Sequence, residues 1–129
     1  MLTLLLSLLL ASPDISDAYR IEAPKAVKVK KGVAGQARIE VVPRSDAHVS
    51  PDAPITLSLS ASPGLKLDKQ KMGRAEAKET KEKGVAFDVP FTAAGKEELK
   101  GSLSFFICTE KLCERQKREV SILVEAERE

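Results

Sequence analysis

Apolar and polar residues alternate in twos along most of this chain. Ala26-Val27-Lys28-Val29-Lys30 alternates apolar and basic side chains, and Ala37-Arg38-Ile39-Glu40-Val41 repeats the pattern. Ile55-Thr56-Leu57-Ser58-Leu59-Ser60 sets three aliphatic residues against hydroxyls, and Leu65-Lys66-Leu67 continues the alternation after Pro63-Gly64. Val85, Phe87, Val89 and Phe91 share one side of a further run. Leu99 to Cys108 and Val120 to Val124 complete the set. A period of two with one polar face predicts half-buried antiparallel strands, because successive side chains of a strand point to opposite faces.

Turn residues separate these runs at intervals of about ten residues, as in sandwich folds. They include Lys31-Gly32, Pro43, Pro51, Pro54, Pro63-Gly64, Gly73, Lys83-Gly84 and Ala94-Gly95. The expected architecture is all-β: an immunoglobulin-like antiparallel β-sandwich of about seven to eight strands. The chain has no Trp, so the Trp and long-range disulfide of antibody domains are not its signature. Lys69 to Lys83, rich in Lys, Glu and Ala, reads as an edge strand followed by a solvated loop.

Composition narrows the chemistry. The 129 residues are 43% hydrophobic and 31% charged, a globular balance. With 21 basic against 19 acidic groups the formal charge is +2, too small an excess for a dedicated nucleic-acid binder. Four Phe, one Tyr and no Trp leave little for base stacking or an aromatic cage. One His and two Cys cannot furnish most multi-ligand metal sites. No cofactor and no metal is expected.

The N-terminus carries its own signal. Met1 to Ala11 is an uncharged apolar run, shorter than the roughly 20 residues of a membrane-spanning helix. Its length fits the apolar region of a secretory leader, and Ser16-Asp17-Ala18 offers a small-x-small cleavage site. The expected organisation is a signal peptide over residues 1–18 and one domain over 19–129. The product would be periplasmic or secreted, monomeric, and without a stable membrane span.

That compartment gives the two cysteines meaning. Cys108 and Cys113 stand in Phe105-Phe106-Ile107-Cys108-Thr109-Glu110-Lys111-Leu112-Cys113, at or near a connection between two strands. Their spacing is neither that of a thioredoxin site nor that of a zinc knuckle. In an oxidising compartment they should be joined to each other. So short a loop gives only about 2 kcal/mol of stabilisation in the chain-entropy model. Two roles stay open for it: a passive loop staple, or an accessible bridge that exchanges with thiols. Lys111 and Arg115 favour a thiolate here, and Glu110 and Glu114 oppose it.

The run from Gly95 through Leu103-Ser104-Phe105-Phe106-Ile107-Cys108 to Cys113 resembles the cysteine hairpin of the N-terminal periplasmic domain of the thiol:disulfide interchange protein DsbD family. Upstream, Asp46-Ala47-His48-Val49-Ser50-Pro51-Asp52-Ala53-Pro54 is similar to a His-x-Asn/Ser-Pro stretch of related exported domains. The resemblance extends roughly from Val33 to Val124. It implies an immunoglobulin-like sandwich whose cysteine pair, here Cys108 and Cys113, takes electrons from a thioredoxin-like partner and passes them to periplasmic oxidoreductases. Two departures stand out. Glu114-Arg115 replaces prolines that often follow the second cysteine, and the aromatic residues that shield the family's disulfide have no secure match, with Phe105 and Phe106 the nearest candidates. Without an electron-carrying membrane domain in this chain, such partners would act in trans.

Two further features call for a reading. His48, between Asp46 and Asp52 in a Pro-rich loop, is expected as a surface residue rather than a weak metal ligand or general base. No nucleophile motif accompanies it. Lys66 to Lys83 holds seven basic and four acidic side chains. The expectation there is a solvated edge that discourages edge-to-edge pairing, in preference to a surface for anionic membranes or polysaccharides.

Overall fold

The computed structural model describes residues 15–127. A single 3₁₀ turn at Ile15–Asp17 leads into the strands. In chain order they are β1 (Tyr19–Glu22), β2 (Ala26–Lys30), β3 (Gly35–Pro43), β4 (Ala47–Val49), β5 (Thr56–Ala61) and β6 (Leu65–Leu67). There follow β7 (Lys71–Met72), β8 (Lys78–Glu79), β9 (Val85–Ala93), β10 (Lys96–Thr109) and β11 (Cys113–Glu127). The short pieces β4, β6, β7 and β8 raise the number above the expected seven to eight; each has only two or three residues. β4, β7 and β8 lie where prolines, glycines and charged residues break the apolar alternation, and β6 is the short alternating piece Leu65-Lys66-Leu67.

The strands form two sheets. One runs β1-β3-β9-β6, with β8 also on β9; the other runs β2-β11-β10-β5-β7, with β4 also on β10. This is the two-sheet layout of an immunoglobulin-like sandwich. Lys69 to Lys83 supplies an edge piece to each sheet: β7 lies along β5, and β8 along β9. The second sheet is mixed rather than wholly antiparallel, because β2 pairs in parallel with β11, Ala26 beside Leu123. The chain leaves β1 in one sheet and enters β2 in the other across Ala23-Pro24-Lys25. Alternation in Ala26–Lys30 marks a strand and says nothing about its partner's direction.

The core forms where the inward positions of the two sheets meet. Ile39, Val41, Phe87, Val89, Leu57, Leu103, Phe105, Ile107, Ile122 and Val124 are all fully buried. Gly101 receives a side chain from the opposite sheet: a Cβ there would lie 3.7 Å from Ile39 Cδ1 and 3.1 Å from Leu57 Cδ1. Gly84 is required for a different reason. Its missing Cβ would sit 2.0 Å from the Val41 carbonyl oxygen, so β3 and the start of β9 approach too closely for any side chain.

One polar lock spans the sheets. The Tyr19 hydroxyl of β1 donates to Gln116 Oε1 of β11 at 2.9 Å. The Tyr19 ring meets Phe105 edge to face, with centroids 5.0 Å apart, and the Arg118 guanidinium lies 5.2 Å from its centroid. Gln116 thus sits inside with its Oε1 accepting a hydrogen bond, which is how a buried amide is tolerated.

The expected leader falls into two parts. Residues 1–14 lie outside the described residues, whereas Ile15 and Ala18 pack against the core. The Ala18 carbonyl accepts the Arg44 backbone N–H at 2.7 Å, and its N–H donates to the Ile15 carbonyl at 3.0 Å. Among the described residues no helix is long and apolar enough to cross a membrane.

Candidate functional site

The two long strands β10 and β11 form one hairpin, and the cysteines close it. Their register runs from Lys96 opposite Glu125 to Cys108 opposite Cys113. The Thr109 N–H donates to the Leu112 carbonyl at 2.8 Å across a turn made by Glu110 and Lys111. Antiparallel pairs alternate, so Cys108 and Cys113 face each other in the closer, non-hydrogen-bonded type of pair. Their Cα atoms are 4.0 Å apart and their sulfurs are bonded.

The turn explains why a cross-link is useful at this point. Two-residue hairpin turns favour the primed types, which need positive φ and match the strands' twist; the unprimed types splay the strands. None of Thr109, Glu110, Lys111 and Leu112 has a positive φ. A covalent bond on the first cross-strand pair holds together what this turn would let diverge.

The two sulfur-bearing residues are not equivalent. On β10, Leu99, Leu103, Phe105 and Ile107 face the core, while Lys100, Ser102, Ser104, Phe106 and Cys108 occupy the outer face. Cys108 is nonetheless only 3% exposed, whereas Cys113 is exposed. Cys108 is flanked on both sides: Cys113 in β11 and His48 in β4 are its register partners. A thiolate arriving from solvent therefore meets Cys113, and attack there would displace the buried Cys108. Of the two aromatic candidates, Phe106 shares the face of the disulfide and is half-buried, while Phe105 points inward onto Tyr19. At the tip, Leu112 is 52% exposed beside Lys111.

His48 lies in β4 rather than in a loop. Val49 donates its N–H to the Lys83 carbonyl at 2.9 Å and Ser50 to the Phe106 carbonyl at 2.9 Å, so β4 is stitched to both sheets. Its acidic sequence neighbour Asp46 is paired with Arg44, whose hydrogen bond holds the Asp46 carboxyl below its usual range. Among the described residues, no group of three or more His, Cys, Asp or Glu side chains could hold a metal ion. The basic segment is partly neutralised: Lys69 pairs with Glu76 and Lys78 with Asp88, each at 2.9 Å. Sequence reasoning missed the Tyr19–Gln116–Arg118 cluster, because polar residues at inward strand positions read as loop.

No protein-family model matches this chain, and no curated protein matches it. Among solved structures it is similar to AggA, the major subunit of aggregative adherence fimbriae type I from Escherichia coli. There the identity is 10%, the match covers 84% of this chain and 94% of that one, and the TM-score is 0.46. Murine CRIg matches 84% of this chain and 98% of its own, with 8% identity and a TM-score of 0.45. Native alpha-2-macroglobulin from Escherichia coli matches 84% of this chain through 16% of its own, at 13% identity and a TM-score of 0.45.

Proposed function

We propose that this chain is an exported, non-enzymatic β-sandwich module that binds or joins other proteins, with Cys108–Cys113 as a structural brace. The observation that supports it most is the place of the disulfide. It ties the first cross-strand pair beyond a turn lacking positive φ, and it buries one of its two cysteines. Export is supported by the apolar run Met1 to Ala11 and by the disulfide itself, which persists in oxidising compartments. Leader removal after Ala18 would make Tyr19 the first residue and take away buried Ile15 and Ala18; the mass of the exported chain decides this boundary.

A second reading, thiol–disulfide exchange as in the DsbD N-terminal domain, is favoured by the exposure of Cys113. A thiolate of a thioredoxin-like dithiol partner attacks the Cys113 sulfur, and a mixed disulfide forms as Cys108 leaves. The partner's second thiolate then attacks the mixed disulfide and releases Cys113. The partner ends oxidised; Cys108 and Cys113 end as thiols, having gained two electrons and two protons in all.

The reduction potential separates the two readings. A value below about −300 mV, where structural disulfides lie, supports the brace; a value well above it overturns the brace in favour of exchange.

A further inference from the structure

We propose that a cavity of about 340 Å³ beside β4 binds a small amphiphilic anion, a molecule with an apolar body and one anionic head. His48, the register partner of Cys108, places one wall of the cavity beside the disulfide end of the hairpin. His48, Val49, Arg74, Thr80, Lys83 and Val85 line it, together with Pro51, Glu79 and Gly84. The surface that the lining exposes is more apolar than polar, as small-molecule sites require. Its charged rim carries Arg74 and Lys83 against Glu79, a balance that favours a single negative head.

Three details show that these polar groups are set in place. Arg74 is held by its Nη2, which donates to the Ser50 carbonyl at 3.0 Å and to the Ala53 carbonyl. Its Nε and Nη1 have no partner among the described residues, and they remain donors for a ligand. Thr80 Oγ1 accepts the Gly84 N–H at 3.0 Å, which leaves its own hydroxyl proton to give. Lys83 has φ 65°, the one non-glycine residue with positive φ among those described. A β-carbon is disfavoured there, and Gly would relieve it. The turn closed by Thr80 and Gly84 fixes this backbone and so fixes where Lys83 joins the lining.

The position of Lys83 allows a clean test, since Lys83→Gly removes the ammonium group while relaxing the backbone. The oxidised protein is titrated with octanoate, octyl phosphate and octylamine, and backbone amide shifts are followed by NMR. The two anions are expected to move the Val49, Thr80, Gly84 and Val85 amides, and octylamine is not. A preference between the anions identifies the head as carboxylate or phosphate. Lys83→Gly is expected to weaken the binding at least tenfold with an equal or higher Tm, and Lys83→Arg to preserve it. The proposal is overturned if neither anion shifts these amides, if octylamine binds as well, or if Lys83→Gly binds like the unaltered protein. Because the disulfide stays oxidised throughout, these outcomes do not depend on which role it plays.

Discussion

Two turns of this molecule reverse the chain by opposite means. Between β8 and β9 the backbone closes on itself: Thr80 donates its N–H to Gly84 at 3.0 Å, Lys83 donates to Thr80 at 3.1 Å, and Gly84 donates to the Thr80 hydroxyl. A left-handed Lys83 and a glycine against Val41 make this geometry attainable. Between β10 and β11 there is no left-handed residue and no glycine, and a covalent bond follows the turn instead. The first turn stores its specification in backbone conformation, so substitution is what breaks it. The second stores it in sulfur chemistry, so a reductant alone can undo it.

The sharpest way to break the first turn is Gly84→Ala. The added methyl group would clash with the Val41 carbonyl, and a loss of about 3 kcal/mol is expected in urea denaturation. The second turn should respond less. Replacing both Cys108 and Cys113 by Ala is expected to cost about 2 kcal/mol. Reduced unaltered protein should fall to the level of that double variant, while the Gly84→Ala deficit should be insensitive to reductant. If reduction leaves the urea midpoint unmoved, the brace is refuted. Lys83→Gly carries the opposite sign: relief of the left-handed residue should raise stability by about 1 kcal/mol, read as an increase in Tm.

The smallest effect concerns the arm that leads into the first turn. Asp88 in β9 accepts a hydrogen bond from Lys78 in β8, which lowers its carboxyl pKa, with Arg38 adding to the effect. A lowered folded-state value means that the pair stabilises above the unfolded value of about 3.9 and stops doing so as pH falls through the folded one. Asp88→Asn should therefore cost less than about 1 kcal/mol at neutral pH and nothing in strong acid, a difference that denaturation at several pH values detects.

Much of this was legible in the chain. The inward-facing sets of β3, β5 and β9 follow directly from their alternation, since water-excluded residues must recur every second position. In β11 the apolar alternation starts only at Val120. Its first half places Gln116 and Arg118 inward, and their burial depends on Tyr19, which is far away in sequence. The expected disulfide pairing is the one found, and its location at the end of a continuous hairpin sharpened its role. The asymmetry between buried Cys108 and exposed Cys113 arises from the register with β4, which a spacing of cysteines does not encode. Likewise, the cavity is assembled from β4, the Arg74 turn and the Thr80–Gly84 turn, segments whose proximity is purely tertiary.

The parallel pairing of β2 with β11 also has a consequence for the order of events during synthesis. β2 leaves the ribosome early, yet among the described residues its only ladder partner is β11, with Ala26 opposite Leu123. Until β11 emerges, β2 has no ladder among the described residues to join, and the pairing waits on a partner nearly the whole chain away. The edge of the second sheet is thus the part of the domain that a folding nascent chain completes last.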